Sequence, residues 1–359
     1  MNPLPSPHEV GSITALMLGE IGDLVVTTPT LAALRRRYPQ ARLRVVIRQA
    51  MAQLLRANDD VDELLLYDSR SRFTKAAFLA KLALRRTDLW VDLHTPTFNT
   101  WNTNDEVFRR NRLFMRAAHP RFQLAFEMAP LRGRLSHPVA VPDEATLKAE
   151  NIVDTTLRLV APTDAGPGGR AKRLGISEAD RAWAREALHA AGLEGRRCIG
   201  LFFGAKQSAK VWPLAQVQSL CRALPDRFAD ADFLLIGGPH EAEAVRALVA
   251  SLAPAIRPRF HDLTATGGLG RSAALIERCA AMVATDSGPM HMADALGVPL
   301  VALMSAHNHA GVWHPLRAVQ VLRKDVPCSP CLSADCRQGQ ACMSAIEPAE
   351  VLAALEQAA

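Results

Sequence analysis

Short apolar runs alternate with helix-like stretches along most of the chain, and this alternation limits the fold more than any other feature. TALML (14–18) reads as a buried strand, and LVVTTPTLAALRRRYP after it as a helix closed by Pro39. LRVVI (43–47) and LWVDLH (89–94) repeat the strand signal. APTDAGPGGRAKRLG (161–175) then breaks every periodicity, as a linker would. Beyond it CIGLFFG (198–204), DFLLIGG (232–238), AMVAT (281–285) and VPLVALM (298–304) read as strands. WPLAQVQSLCRAL, EAEAVRALVASLA and SAALIERCA, which lie between them, read as helices. Such repetition predicts an α/β protein with parallel sheets wrapped on both faces.

The 359 residues exceed one ordinary core, so two Rossmann-like doubly wound domains are expected. Residues 1–165 form the first and 176–345 the second, while EPAEVLAALEQAA makes 346–359 a closing helix. Two such sheets joined by a linker should face one another across a cleft, with ligands at the carboxyl ends of the strands.

Composition removes several classes. Hydrophobic residues make up 49% and charged residues 22%, values of a folded chain rather than a disordered one. No apolar run nears the roughly 20 residues a bilayer span needs, and MNPLPSPHEV lacks the basic flank and apolar core of a signal peptide. A cytoplasmic protein is expected. A net charge of +6 favours acidic partners, but with 5% aromatic residues and no recognition motif, nucleic acid is not among them. Seven cysteines, an odd number, argue against a secreted disulfide framework.

Four segments carry candidate chemistry. LGEIGDLVVTTP (18–29) places Gly19 and Gly22 in a tight turn that delivers Asp23 to the ligand end of the first sheet. Asp23 reads either as a reacting carboxylate or as a first-turn acid on the helix dipole. Thr27 and Thr28 read as local caps or as contacts to a reacting sugar. FFGAKQSAKVWP (202–213) sets Lys206 and Lys210 just past a strand, where an ammonium can meet a diphosphate; two solvated lysines are the plainer reading. GGPHEAEAV (237–245) puts His240 and Glu241 at a helix start, suited to the two hydroxyls of a ribose or simply to the helix dipole. In VATDSGPMHMADALGVP (283–299), Asp286, Ser287, Gly288 and His291 stand where a strand yields to a helix. Ser287 there is a cap, or the free backbone N–H groups are an anion site.

Cys328, Cys331, Cys336 and Cys342 have the compact spacing C-x(2)-C-x(4)-C-x(5)-C, suited to a structural zinc or iron, or to a loop of free thiols. The basic runs Arg35–Arg37 and RRNRLFMR (109–116) are solvated helix faces or contacts to acceptor phosphates and lipid headgroups.

IGDLVVTTPTLAALRRRYP, the G-A-x(4)-K-x-W-P pattern, DSGPMHMADALGVPLVALM and CSPCLSADCRQGQACMSAI, in that order, resemble glycosyltransferase family 9, the ADP-heptose:lipopolysaccharide heptosyltransferases. The resemblance covers nearly the whole chain and is weakest over residues 70 to 170. It implies a GT-B fold and an inverting transfer of heptose from ADP-heptose to the lipopolysaccharide core, without a catalytic cofactor or metal. Asp23 would be the general base, Lys210 would bind the donor diphosphate and Glu241 the ribose. Asp286 with His291 would hold the donor sugar and phosphates, and Ser287 and Gly288 would offer hydroxyl and backbone donors. Such an enzyme would touch the cytosolic membrane face, and the closing helix would cross back to the first domain. A glycine-containing turn is expected after the strand at 298–304, where this chain reads SAHNHAGVWHP. Competing readings are another nucleotide sugar, a protein acceptor, or a non-catalytic nucleotide- or metal-binding protein.

Overall fold

The computed structural model describes residues 4–68, 70–97, 105–160 and 169–358. The chain divides into two compact units, Met1–Gly175 and Ile176–Ala359. Each holds one six-stranded sheet in which every pairing is parallel.

The first unit contains β1 (Ser12–Met17), α1 (Ile21–Arg37), β2 (Arg42–Arg48), β3 (Glu63–Tyr67), α2 (Arg72–Ala83) and β4 (Leu89–Asp92). After them come α3 (Asp105–Ala118), β5 (Phe122–Phe126), β6 (His137–Val139), α4 (Glu144–Ala149) and α5 (Ile152–Leu157). Its strand order, β3-β2-β1-β4-β5-β6, is that of a doubly wound dinucleotide-type sheet. The direction of winding reverses between β1 and β4.

The second unit runs α6 (Glu178–Ala190), β7 (Arg197–Phe202), α7 (Leu214–Arg227), β8 (Ala231–Gly237), α8 (Ala242–Ser251) and β9 (Phe260–Thr264). It continues with α9 (Leu269–Glu277), β10 (Ala281–Thr285), α10 (Gly288–Leu296), β11 (Leu300–Met304), β12 (Gln320–Arg323), α11 (Ala341–Ser344) and α12 (Pro348–Ala358). The order β12-β11-β10-β7-β8-β9 repeats the first pattern, with the reversal between β7 and β10. The α/β class and the pair of doubly wound sheets agree with the sequence reading.

Parallel strands are covered on both faces, so they read as unbroken apolar runs; β8, β10 and β11 are buried along their whole length. Ile199, Leu201, Phe233, Leu235, Val283, Val301 and Leu303 meet α7 and α12 in one core that also takes Val351, Leu352, Ala354 and Leu355. The closing helix α12 packs its apolar stripe on its own unit's sheet and on α7.

Two local features depart from the periodicity. Helix α1 starts at Ile21, so Gly22 and Asp23 belong to its first turn rather than to a loop. The cause is a capping box: the Glu20 N–H donates to Asp23 Oδ2 at 2.8 Å, while the Glu20 side chain accepts from the Asp23 backbone. Pro29 lies inside the same helix and has no N–H for the Val25 carbonyl four residues back; the Thr28 hydroxyl donates to that oxygen instead, at 2.7 Å.

The described part of the expected linker, 169–175, docks on the first unit. The Arg173 N–H donates to Thr28 Oγ1 (3.0 Å), Asn58 Nδ2 to the Arg173 carbonyl (3.2 Å) and the Gly175 N–H to the Leu54 carbonyl (2.7 Å). A Cβ on Gly175 would stand 2.1 Å from the backbone nitrogen of Asn58, so glycine alone fits there.

Candidate active site

In a doubly wound sheet the splayed loops at the winding reversal leave room for a ligand. The sequence candidates of the second unit occupy that position, on the loops after β7, β8 and β10. Thr285, the last residue of β10, donates its hydroxyl to the Gly204 carbonyl at 2.6 Å and so ties the β10 loop to the β7 loop. Gly204 also lies against Glu241, where a Cβ would stand 2.7 Å from Glu241 Cγ. Three loops are thereby drawn together.

Lys210 ends a short 3-10 turn, Ser208–Lys210, and its Nζ lies 3.1 Å from Asp286 Oδ2. The Asp286 side chain is 3% exposed, and its backbone N–H donates to the Leu303 carbonyl. Burial alone would raise this carboxyl. The Lys210 ammonium, together with His307 and His291, more than reverses that and holds it below the usual carboxylate range. An ammonium has three donors, so pairing with Asp286 orients Lys210 and still leaves it able to bind an anion. Lys206 lies exposed four residues earlier in the same loop.

Helix α10 begins at Gly288 with no side-chain cap. Ser287, read as a cap from sequence, donates its hydroxyl backwards to the Thr285 carbonyl at 3.0 Å. The first-turn amides of Gly288 and Met290 therefore lack a side-chain oxygen, and Pro289 between them has no N–H. His291, one turn on, is 3% exposed, with its ring 6.0 Å from that of Trp313. Glu241 turns its Oε2 onto the Gly238 N–H at 2.8 Å, which fixes the carboxylate over the Gly-Gly turn.

Sequence reasoning missed a second layer. Ser305 and His307, after β11, are buried and joined at 2.6 Å through His307 Nδ1. Burial, Lys210 and Arg323 push the His307 imidazole down to about 4, against the opposing pull of Asp286, so it is neutral near pH 7. Asp294, also buried, accepts the N–H groups of Leu316 (3.1 Å) and Arg317 (2.7 Å) and anchors the loop that carries Trp313. Only the crowd of histidines in SAHNHAGVWHP hinted at this layer.

In the first unit, Asp23 is half-buried at the carboxyl end of β1. A Cβ on Gly19 would stand 2.5 Å from Asp23 Oδ2, so the absence of a side chain at 19 makes room for the carboxylate. The cap bond to Glu20 occupies only part of a carboxylate's four or so acceptor positions. Thr27 and Thr28 are buried, and both hydroxyls donate to helix carbonyls, of Leu24 (2.8 Å) and Val25 (2.7 Å). Asp92, at the end of β4, is buried and accepts the His94 N–H and the Asn111 amide, both at 3.0 Å. Its carboxyl is raised by burial, in spite of these partners.

The cysteines behave unlike a preformed cage. Cys328 and Cys331 are exposed, Cys336 is half-buried and Cys342 buried. Among the described residues no three His, Cys, Asp or Glu side chains stand close enough to hold a metal ion. The residues as arranged do not fit a four-thiolate centre. Instead the turn winds about the Cys336 sulfur, which accepts the N–H groups of Gln338 (3.4 Å) and Gln340 (3.1 Å). That turn braces the one carrying Lys210: the Cys336 N–H donates to Ser208 Oγ (3.0 Å), the Ala209 N–H to the Ala334 carbonyl (3.1 Å) and Gln340 Nε2 to the Ser208 carbonyl (3.4 Å).

Each unit has the doubly wound strand order, and the second carries at its winding reversal a paired lysine, an uncapped helix start and a helix-start acid, the makings of an anion site in an α/β enzyme. Residues 112–342 match the family model described as glycosyltransferase family 9 (heptosyltransferase), and the chain belongs to that family. It is a glycosyltransferase. It is 26% identical over 303 residues to lipopolysaccharide heptosyltransferase 3 of Escherichia coli, covering 82% of this chain and 83% of that protein. Its fold is similar to that of a family 9 glycosyl transferase from Veillonella parvula, with TM-score 0.79 at 22% identity over 96% of both chains. E. coli ADP-heptose lps heptosyltransferase II gives TM-score 0.75 at 22% identity, over 96% of this chain and 97% of that one.

Proposed function

We propose that this protein is an inverting transferase that moves heptose from ADP-heptose to the inner core of lipopolysaccharide. The single observation that carries the reading is the Lys210–Asp286 pair beside the uncapped start of α10, at the winding reversal of the second sheet. It is a built site for a leaving diphosphate. The names of the heptosyltransferase relatives, which specify lipopolysaccharide and ADP-heptose, supply the substrate classes.

In this reading the two units form a GT-B arrangement and the acceptor hydroxyl approaches the anomeric carbon opposite the diphosphate. Asp23 takes the hydroxyl proton as the new C–O bond forms, since a sugar hydroxyl is too weak an acid to ionise beforehand. The C–O bond to the diphosphate breaks as that happens. Lys210 and the amides of Gly288 and Met290 stabilise the charge gathering on ADP, without reorganising. Ser287 and Lys206 border the same diphosphate, Glu241 takes the ribose hydroxyls, and Asp286 and His291 line the sugar. Thr27 and Thr28 support α1 from within. A lipid-linked acceptor also places the enzyme at the cytosolic face of a membrane; no helix among the described residues is long and apolar enough to cross one.

Turnover of ADP-heptose with a deacylated core acceptor, measured as ADP release, tests the assignment. Release that requires the acceptor supports it. Transfer from a UDP- or GDP-sugar instead, or release with water alone, overturns the donor or the acceptor assignment respectively.

A further inference from the structure

Helix α2 is apolar on the side that faces solvent as well as on the side that faces the core. Inward, Phe78 and Leu82 pack with Tyr67 and Phe114, the Phe78 and Phe114 rings lying 5.1 Å apart. Outward, Phe73 is 88% exposed and Leu84, the cap residue at the far end, 86%. Eleven positions separate them, close to three turns at about 3.6 residues each, so both project from one side. Exposed Ala76, Ala77 and Ala80 fill the space between. Apolar residues on two opposite sides of a helix are normally buried on both.

The charges within the segment that carries this stripe have one sign. From Arg70 to Arg86 the sequence holds no Asp or Glu. Asp68 and Asp88, just outside, engage Arg70 (2.7 Å) and Arg86 (3.1 Å), and Glu63 engages Arg85 (2.8 Å). Lys75 and Lys81 have no carboxylate within ion-pair distance among the described residues. The packed neighbour α3 adds half-exposed Leu113 with exposed Arg109 and Arg116, and exposed Asp105 and Glu106 at its start.

We infer that the outer face of α2 is a docking surface for an anionic phospholipid bilayer. Phe73 and Leu84 enter the acyl boundary, while Lys81, about a quarter-turn round the helix from them, meets lipid phosphates. A second copy of the chain is the poorer occupant, because a two-fold contact through this face would set its cations against themselves. The surface deepens the reading of a lipid-linked acceptor by naming the part of the protein that meets the membrane.

The test is co-sedimentation of the full chain with phosphatidylcholine vesicles, with and without phosphatidylglycerol. Two variants join it, Phe73→Ser/Leu84→Ser and Lys81→Glu, with thermal melts to confirm folding. The wild type should bind the anionic vesicles at least about tenfold more tightly than the neutral ones, and each variant should lose most of that preference. Equal binding to both vesicle types, or full binding by either folded variant, overturns the inference. So does a concentration-dependent dimer that Phe73→Ser/Leu84→Ser abolishes. Transfer to the deacylated, water-soluble acceptor tests the transferase reading separately, since these positions lie outside the proposed site.

Discussion

Asp23 shows how one side chain can satisfy a structural and a chemical requirement together. Its cap bond to Glu20 holds the carboxylate in place, and Asn can keep such a bond through its amide oxygen. Asp23→Asn should therefore leave α1 and ADP binding nearly intact while lowering kcat at least about a hundredfold. An Asn variant with near-normal turnover would remove Asp23 from proton transfer. Lys210 behaves differently because Asp286 is buried beside it. Lys210→Ala strands a carboxylate in the core, which should cost about 3 kcal/mol or more of stability in denaturant melts and weaken ADP about tenfold or more by calorimetry. His307 adds a pH signature. Its folded value near 4 lies below the ordinary 6.5, so the unfolded chain binds the proton first as pH falls. Its contribution to stability is thus lost as pH drops from about 6.5 toward about 4, by up to about 3 kcal/mol, and levels off below that. Asp286, also depressed, has the same sign at lower pH: its contribution is present above the ordinary carboxylate value and lost as pH falls through its own. Subtracting the melt profile of His307→Asn from that of the wild type should isolate the upper window.

At the scale of elements, the strands flanking each winding reversal were legible because burial on both faces leaves an unbroken apolar run. TALML, CIGLFFG and AMVAT all fall on observed strands. Helix α2 was not legible, since its apolar residues surround the axis and give no one-sided period to detect. The start of α1 lies earlier than glycine at 22 suggests, because the Glu20–Asp23 box carries the helix through it. The cysteine segment was visible as spacing, which left a metal site or free thiols open and cannot reveal that backbone amides reach the Cys336 sulfur. Its hydrogen bonds to Ser208 give a direct test. Ser208→Ala should weaken ADP about threefold to tenfold by loosening the Lys210 turn, whereas Ser208→Thr, which keeps the hydroxyl, should bind nearly as the wild type. Unchanged affinity in the folded Ala variant would mean that the brace does not govern the lysine.

For the molecule as a whole, ligand binding should register as stability. ADP at one hundred times its Kd should raise the free energy of unfolding by about 2.7 kcal/mol if it binds only the native state, with UDP and GDP at equal concentration giving less. A thermal-shift panel of the three reads this directly. The duplication of one strand order explains why class and domain number could be read early, while the Ser305, His307, Asp294 and Trp313 layer could not. Those side chains come from separated stretches that only the closed sheet brings into one neighbourhood.

The docking of residue 175 decides where this protein can be cut. Anyone preparing the amino-terminal half as a fragment would be tempted to stop at the proline- and glycine-rich break. Such a truncation would discard the strap whose terminal glycine seals the Leu54 carbonyl and the Ala57 amide. The scissors belong between Gly175 and Ile176, and a library that randomises the connection must leave its last glycine alone.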